Sequence, residues 1–234
     1  MKLRTTLSTI PLRDKDTDRS EMVSQLLYGE QFEIRESKEK WMKVVCETDG
    51  YEGWLAKEHR YTDFVENTEI VESKGEIIHT DASRTLVSPG SRLTKEEISL
   101  FRNSSSFMSD EPVDTAMNFL NTPYLWGGRS IWGIDCSGLI QVSFACSGIS
   151  LPRDAYQQAE HGEVLSFSDI QKGDLAFFHN IEGRINHVGI ILGPSEILHA
   201  SGYVRVDTLE KDGILRRTDN TLSHQKPIYR RLNI

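Results

Sequence analysis

One of the three cysteines has the flanking residues of a nucleophile rather than those of a core side chain. Cys136 lies between Asp135 and Ser137, where a glycine-rich loop gives way to a segment of helical spacing. A helix N-terminus offers unpaired backbone N–H groups and the positive end of the helix dipole, and both stabilise a thiolate. We therefore expect a lowered thiol pKa at Cys136. Cys46 and Cys146 have apolar surroundings, and we expect them to be ordinary buried side chains.

Two of the seven histidines lie on runs typical of neighbouring strands. The runs HVGIIL and EILHA are separated by Gly-Pro-Ser, which is typical of a hairpin turn. If Ile191 pairs with Ser195, His187 lies directly opposite His199, and one imidazole can orient the other. A lone strand histidine is usually a core residue, whereas two beside such a cysteine predict a cysteine hydrolase or transferase. We expect the remaining histidines at the solvated surface: His59, His79, His161, His179 and His224.

The elements that position these residues divide the chain into two halves. The first half, residues 1–65, predicts a small all-β barrel, because short strand-like runs recur there with turn residues between them. These runs are Leu7–Ile10, Met22–Leu27, Gln31–Arg35, Trp41–Cys46 and Gly53–Leu55. We expect Trp41 and Trp54 to be core aromatic residues of this barrel.

The second half, residues 109–234, predicts a helix ahead of the glycine-rich loop, a helix that begins at Cys136, and strands after it. Between the halves, residues 66–108 show no clear period and predict a connector with some local structure. Within it, Thr94 and Glu97 have the spacing of a capping box at the start of a helix.

Composition and charge exclude several classes of protein. The chain has 27 basic and 35 acidic residues and a net charge of −8, which argues against a nucleic-acid partner. Three scattered cysteines form neither a disulfide framework nor paired zinc ligands. Neither a membrane-spanning run nor the apolar core of a secretory signal is evident. We expect a cytoplasmic protein, although a secreted chain trimmed of its signal would look the same.

Five motifs in order along residues 113–205 resemble the NlpC family of papain-like cysteine peptidases, which cleave peptidoglycan stem peptides. They are PYLWGG at 123–128, DCSGL at 135–139, LPRDAYQQ at 151–158, GDLAFF at 173–178, and NHVGIIL at 186–192 followed by LHAS at 198–201. The family's fold is α+β, with a helical part that carries the nucleophile packed on an antiparallel sheet that carries the histidines. The resemblance implies the same fold for this half.

The resemblance also implies roles for individual residues. Cys136 is the nucleophile, His187 the general base and acid, and His199 the third, orienting residue. Tyr124 matches a tyrosine whose hydroxyl helps to stabilise the oxyanion, with packing beside Trp126 as the alternative. Substrate-binding positions are implied for two residues that flank the nucleophile and for the arginine of the third motif: Asp135, Ser137 and Arg153.

The first half resembles a bacterial SH3-like domain, through its YGE turn, its Trp-led strand and its closing YEGWL run. This arrangement is similar to γ-D-glutamyl-L-diamino acid endopeptidases of the dipeptidyl-peptidase VI type, which recycle murein peptides with a free N-terminal L-alanine. In them an acidic cluster at the domain interface holds the ammonium group. Asp154 matches one member of that cluster, and Glu21 and Tyr51 are candidates on the SH3-like side. The family commonly has serine after that aspartate, and Ala155 here removes one hydroxyl contact.

Three alternatives stay open at this point. The SH3-like domain could target a secreted cell-wall hydrolase, the chain could be an inactive wall-binding protein, or the same cysteine–histidine pair could transfer an acyl group. The resemblance implies a substrate of the type L-Ala-γ-D-Glu-diamino acid, no metal or organic cofactor, and no obligate protein partner. It leaves open whether the diamino acid is diaminopimelate or lysine, and it does not give the oligomeric state.

Overall fold

The computed structural model describes residues 1–79, 82–103 and 111–232. The chain forms two compact units, the first of Met1–Ser109 with Trp126–Gly133 and the second of Asp110–Leu125 with Ile134–Ile234. The residues assigned above to a connector therefore group with the barrel. Among the helices of the described residues, none is long and apolar enough to cross a membrane.

The first unit consists of strands and one short helix. The strands are β1 (Lys2–Thr5), β2 (Thr9–Arg13), β3 (Met22–Leu27), β4 (Gln31–Ser37), β5 (Trp41–Cys46), β6 (Glu52–Ala56), β7 (Tyr61–Asp63), β8 (Glu69–Ile70), β9 (Gly75–Ile78), β10 (Arg84–Val87), β11 (Arg92–Leu93), β12 (Phe101–Asn103) and β13 (Arg129–Ser130), and the helix is α1 (Lys95–Leu100). Seven strands form an antiparallel sheet in the order β3-β2-β6-β5-β4-β1-β7. The predicted all-β architecture is confirmed, and the predicted bounds of β3 and β5 are those observed.

The core of the barrel is mostly aliphatic, and the two tryptophans are not part of it. Alternate residues of the strands form one buried cluster: Ile10, Leu12, Leu26, Phe32, Met42, Val44, Cys46 and Leu55. Trp41 and Trp54 are only half-buried, and the Lys38 ammonium lies 4.3 Å from the centroid of the Trp54 ring. The expectation that both are core aromatics is wrong, because each falls on the outer face of an alternating strand.

The capping box predicted at α1 is present. The Thr94 hydroxyl accepts the Glu97 N–H at 3.2 Å, and the Glu97 carboxylate accepts the Thr94 N–H at 2.8 Å. The same carboxylate accepts hydrogen bonds from Arg4 and from the Tyr28 hydroxyl. This carboxylate therefore ties α1 to the strands of the barrel.

The second unit is an antiparallel sheet with helices. Between the units the chain passes through β14 (Gly133–Ile134). The helices are α2 (Pro112–Met117), α3 (Cys136–Cys146) and α4 (Ala155–Gln158), and the strands are β15 (Glu163–Leu165), β16 (Leu175–His179), β17 (Ile185–Gly193), β18 (Glu196–Ser201), β19 (Tyr203–Glu210), β20 (Gly213–Leu215), β21 (Leu222–Gln225) and β22 (Ile228–Arg231). The sheet order is β15-β22-β16-β17-β18-β19-β20-β21.

Helix α3 lies inside this unit, in contact with α2 and with strands β17 and β18. Its residues from Cys136 to Phe144 are all buried, and the buried polar side chains of Gln141 and Ser143 donate to backbone carbonyl oxygens. The helix ends at Ser147, and Gly148 follows with a φ of +82°, a conformation that glycine adopts without strain. The fold therefore places the start of α3 beside the central strands of the sheet.

Candidate active site

Cys136 is the first residue of α3, as predicted, and protein atoms bury it. The preceding residue, Asp135, caps the helix by accepting a backbone N–H of the first turn at 2.7 Å. The Cys136 thiol donates to the Asn186 carbonyl oxygen, with 3.9 Å between Sγ and O, and the sulfur also bonds to the backbone of Val188. The sulfur is therefore held by the backbone of β17 on both sides of His187.

The expected lowering of the Cys136 pKa is wrong for this form of the protein. Burial, with a smaller contribution from the Asp135 carboxylate, raises the pKa of the thiol to about 12. Arg153 and the backbone around Ser137 and Val188 act in the opposite direction without reversing the shift. Removal from water thus outweighs the helix N-terminus. The resting cysteine is a neutral thiol that needs a base to remove its proton.

His187 and His199 lie on one face of the hairpin, but not directly opposite each other as predicted. Gly189 is the residue opposite His199, because the strands close through a Gly193–Glu196 pair and a bulge instead of a three-residue loop. The shift is two residues, so the face is retained. A Cβ at Gly189 would lie 2.7 Å from two carbons of the Ile197 side chain and 3.0 Å from the His199 Cβ. Glycine at this position makes room for Ile197 and His199.

The two histidines continue into a hydrogen-bonded relay that ends at a residue the sequence analysis missed. His187 Nε2 lies 2.8 Å from His199 Nδ1, and His199 Nε2 lies 3.0 Å from Asp207 Oδ2. All three side chains are buried. The relay uses one nitrogen of His187 and leaves the other, Nδ1, for the thiol proton.

Asp207 is an ionised acceptor. It accepts the Arg205 Nε–H at 2.8 Å and the Arg217 backbone N–H at 2.9 Å, and these bonds and the His199 bond hold its pKa well below the usual value, although burial opposes the shift. A signal for it exists in the alternation of YVRVD, which puts Arg205 and Asp207 on one face of a strand. Arg205 and Asp207 lie beside His199 because β19 pairs with β18 so that Arg205 is opposite His199. The sequence of β19 alone does not specify this register.

The charge states of the relay assign its protons. Burial lowers the pKa of His187 and of His199, so both imidazoles are neutral at neutral pH. An ionised Asp207 can only accept, so His199 carries its proton on Nε2 and presents the lone pair of Nδ1. His187 then carries its proton on Nε2, and its Nδ1 has the lone pair. This hydrogen-bond logic assigns His187 as a base.

The residues that flank Cys136 are joined by a buried arginine. Arg153 donates to Asp135 through both terminal nitrogens, at 3.1 and 2.5 Å, and to the Ser137 hydroxyl at 2.9 Å. Arg153 is only 2% exposed. The three implied substrate-binding residues therefore form one connected group beside the nucleophile.

Tyr124 and Asp154 lie in the same unit as the nucleophile. The Tyr124 N–H donates to the Gly202 carbonyl oxygen at 3.0 Å, and burial raises the pKa of its hydroxyl far above the usual value, with Cys136 acting in the same direction. The hydroxyl therefore remains a hydrogen-bond donor. Asp154 is half-buried at the residue before α4, and its side chain does not cap that helix.

The two candidates of the SH3-like half lie in the first unit. Glu21 is exposed and accepts the indole N–H of Trp126, which belongs to the same unit. Tyr51 is half-buried and packs against the barrel core. Their contact with a substrate remains a prediction.

His224 was expected at the solvated surface, and the structure places it against the relay instead. Its ring stacks on the ring of His187, with 3.8 Å between centroids and 13° between planes. Burial lowers the pKa of His224 to about 4. The polar residues around His224 in the sequence do not indicate this contact. It forms only because β21, the last strand in the sheet order, places His224 against His187.

The three imidazoles group closely enough to raise the question of a metal. One ring nitrogen each of His187, His199 and His224 can be chosen so that all lie within 4.8 Å of one another. Metal-bound imidazoles direct their in-plane lone pairs at one ion. The rings of His187 and His224 are stacked in separate, nearly parallel planes, so their lone pairs do not converge on one point. The 2.8 Å hydrogen bond between His187 and His199 already uses one nitrogen of each of these rings. The arrangement suits stacking and proton transfer better than metal binding.

Two family models match the chain. Residues 121–223 match the NlpC/P60 family, and residues 12–59 match the bacterial dipeptidyl-peptidase SH3 domain. The first match contains the nucleophile, both histidines of the relay and Asp207, and the second lies in the barrel.

Curated relatives and a solved structure extend these matches over most of the chain. The chain is 28% identical over 216 residues to a γ-D-glutamyl-L-lysine dipeptidyl-peptidase of Bacillus subtilis, which covers 76% of this chain and 71% of the relative. It is also 28% identical to dipeptidyl-peptidase 6 of Lysinibacillus sphaericus, over 86% of this chain and 89% of the relative. A crystal structure of an NlpC/P60 family protein from Bacillus cereus superposes with a TM-score of 0.79 over 99% of both chains, at 19% identity. The predicted fold is confirmed.

Proposed function

Because the chain carries an NlpC/P60 domain behind a dipeptidyl-peptidase SH3 domain and is a cysteine peptidase, we propose that it hydrolyses the γ-D-glutamyl–diamino acid bond of peptidoglycan stem peptides. The substrates are peptides with a free N-terminal L-alanine, and the setting is the cytoplasmic recycling of cell-wall peptides. The observation that carries the proposal is the buried relay from His187 through His199 to Asp207, beside Cys136.

In the first half of the reaction the peptide bond breaks. His187 Nδ1 takes the Cys136 proton as the sulfur attacks the γ-carbonyl carbon of D-glutamate. The Tyr124 hydroxyl and a backbone N–H near Cys136 stabilise the oxyanion, and one such donor contributes roughly 3 kcal/mol. His187 then gives its proton to the leaving amine of the diamino acid, which departs and leaves a thioester.

In the second half water releases the product. His187, neutral again, takes a proton from water as the oxygen attacks the thioester carbon. The bond to sulfur breaks, and the proton returns to Cys136 while L-Ala-D-Glu departs. His199 and Asp207 hold the tautomer of His187 through both halves and touch no reacting atom.

The buried arginine supports a binding site for the D-glutamyl group next to the sulfur. Asp135, Ser137 and Arg153 are fixed to one another by the bonds described above, so their positions are set before the substrate arrives. Two relatives are named dipeptidyl-peptidases, which supports release of a dipeptide. The Asp154 carboxylate is the group that we assign to the ammonium of the terminal alanine.

Mass spectrometry of digests tests the proposal with two tripeptides, L-Ala-γ-D-Glu-L-Lys and the diaminopimelate analogue, each with a free and an N-acetylated terminus. We expect kcat/KM to fall about a hundredfold or more on acetylation, because the carboxylate loses its cationic partner in a partly dry pocket. Asp154→Asn should narrow the difference between free and acetylated peptides, whereas Asp212→Asn, at an exposed position, should leave it unchanged.

Cysteine variants provide the control for the chemistry. Cys136→Ala should abolish cleavage, and Cys146→Ala, at the other end of α3, should retain it. Equal cleavage of free and acetylated peptides would reject the recycling role and favour hydrolysis of the intact wall. Transfer of the dipeptide to an added amine, in preference to water, would reject hydrolysis as the main reaction.

A further inference from the structure

His224 covers the open face of the imidazole that acts as the base. It lies on β21 with a φ of +47°, in the left-handed region that few non-glycine residues adopt. Its Nε2 lies 3.4 Å from the Ser201 hydroxyl, and its ring is stacked at 3.8 Å on His187. The family match ends at residue 223, so nothing in that match assigns a role to this side chain.

We infer that His224 is a positioning residue for His187: its ring holds the imidazole plane by stacking and stabilises the imidazolium that forms in each half of the reaction. This inference rests on the function proposed above for His187. A cation over an aromatic face is attracted by the ring quadrupole, and stacking restricts rotation about the side-chain bonds. The base is thereby kept in the orientation that the relay requires.

The surroundings of the ring favour its neutral state. His199 lies edge-on to it at 5.8 Å and Phe178 at 6.1 Å, both measured between ring centroids. His199, Arg205 and Arg216 oppose a positive charge on His224, and the anion Asp207 favours it. A charge on His224 would lower the pKa of His187, but burial, His199 and the two arginines keep the ring uncharged at neutral pH, so it does not repel an imidazolium at His187.

The position of His187 between its neighbours explains why a second contact is needed. The relay bond to His199 fixes one point of the ring, at Nε2, and does not by itself set the ring plane. The stack fixes the plane, and Phe178 lies on another side at 5.9 Å. A single substitution at His224 therefore perturbs the plane of the base while the relay bond remains.

Three substitutions separate an aromatic face from mere filling of space: His224→Phe, His224→Leu and His224→Ala. Each variant is measured with the L-Ala-γ-D-Glu-diamino acid tripeptide for kcat and KM, with a thermal melt to confirm folding and His161→Ala as an exposed-histidine control. We expect the Phe variant to retain kcat within about threefold. The Leu and Ala variants should lose about tenfold in kcat with KM unchanged, because only the aromatic face meets the imidazolium.

A second measurement works even if the tripeptide is not the substrate. Iodoacetamide alkylates Cys136 at a rate that depends on proton transfer from the thiol to His187, and we expect the same order of variants. If the alkylation rates of the variants follow this order but the wild-type protein cleaves none of the peptides, the proposed substrate fails and the role of His224 stands. If the Leu variant matches the Phe variant in both assays, or all variants match wild type, the inference is wrong.

Discussion

The relay predicts that Asp207 controls the basicity of His187, although His199 lies between them. Asp207→Asn keeps the size of the side chain and removes its charge. The carboxylate accepts three hydrogen bonds, from His199 and Arg205 at Oδ2 and from the Arg217 backbone at Oδ1, so an amide in its place must turn its NH₂ group either toward Arg217 or toward both His199 and Arg205. Turned toward the Arg217 backbone, it loses one bond. Turned toward His199, it forces the opposite tautomer on both imidazoles and removes the lone pair of His187 that receives the thiol proton.

The magnitude follows from what is lost. A hydrogen bond to a charged group contributes about 1.5–3 kcal/mol, and each 1.4 kcal/mol corresponds to a tenfold change in rate. Because Asp207 acts through His199 and not on the base directly, we expect kcat to fall roughly 10- to 100-fold. KM should change little, because the carboxylate is buried and lies behind the imidazoles.

The assay is steady-state cleavage of the tripeptide at pH 7, with circular dichroism and thermal melts to establish that the variant is folded. Asp219→Asn is the matched control, because Asp219 also accepts bonds from an arginine and a backbone N–H but lies in an exposed turn. A folded Asp207→Asn variant with a kcat within twofold of this control would refute the relay. A rise in KM at constant kcat would place Asp207 in substrate binding instead.

Two further predictions concern the base and the nucleophile. His187→Ala should lower kcat more than His199→Ala, because the first removes the proton carrier and the second removes its orientation, and the reverse order in steady-state kinetics would exchange their roles. The rate of Cys136 alkylation by iodoacetamide should still be rising at pH 9, because burial raises the pKa of the thiol to about 12. A plateau below pH 8 would mean that the resting pair is a thiolate and an imidazolium.

Local signals in the sequence predicted the elements that carry the site. The start of α3 at Cys136 follows from the loop ahead of it and the capping aspartate, and the capping box of Thr94 and Glu97 follows from spacing alone. The bounds of β3 and β5 follow from apolar alternation between turns. Each of these depends on residues close together in the chain, which is why a single sequence contains the information.

The features that the sequence missed depend on residues distant in the chain. The register of β17 with β18 differs by two residues because a bulge shortens the turn, and turn residues alone did not distinguish the two closures. The prediction that His187 and His199 share one face of the hairpin still holds, because side chains alternate between faces and a shift of two residues keeps the face. Asp207 and His224 reach the two histidines only because later strands of the sheet, β19 and β21, carry them there. The residues next to a polar side chain in the sequence do not show whether it becomes a relay partner or stays in solvent.

The charge state of Cys136 shows how the fold can reverse a local signal. A helix N-terminus stabilises an anion by about 0.3–1 kcal/mol, and by up to about 2 kcal/mol in favourable geometry. Burial that raises the thiol pKa to about 12 destabilises the thiolate by more than this, because each pKa unit corresponds to about 1.36 kcal/mol. The same burial that opposes a thiolate also keeps His187 and His199 neutral. During attack on a peptide the developing charges are therefore stabilised together, by Tyr124 at the oxyanion, by His224 over the imidazolium and by Asp207 at the end of the relay. Such a site reacts slowly as a free thiol at neutral pH and becomes more nucleophilic with a peptide carbonyl in place.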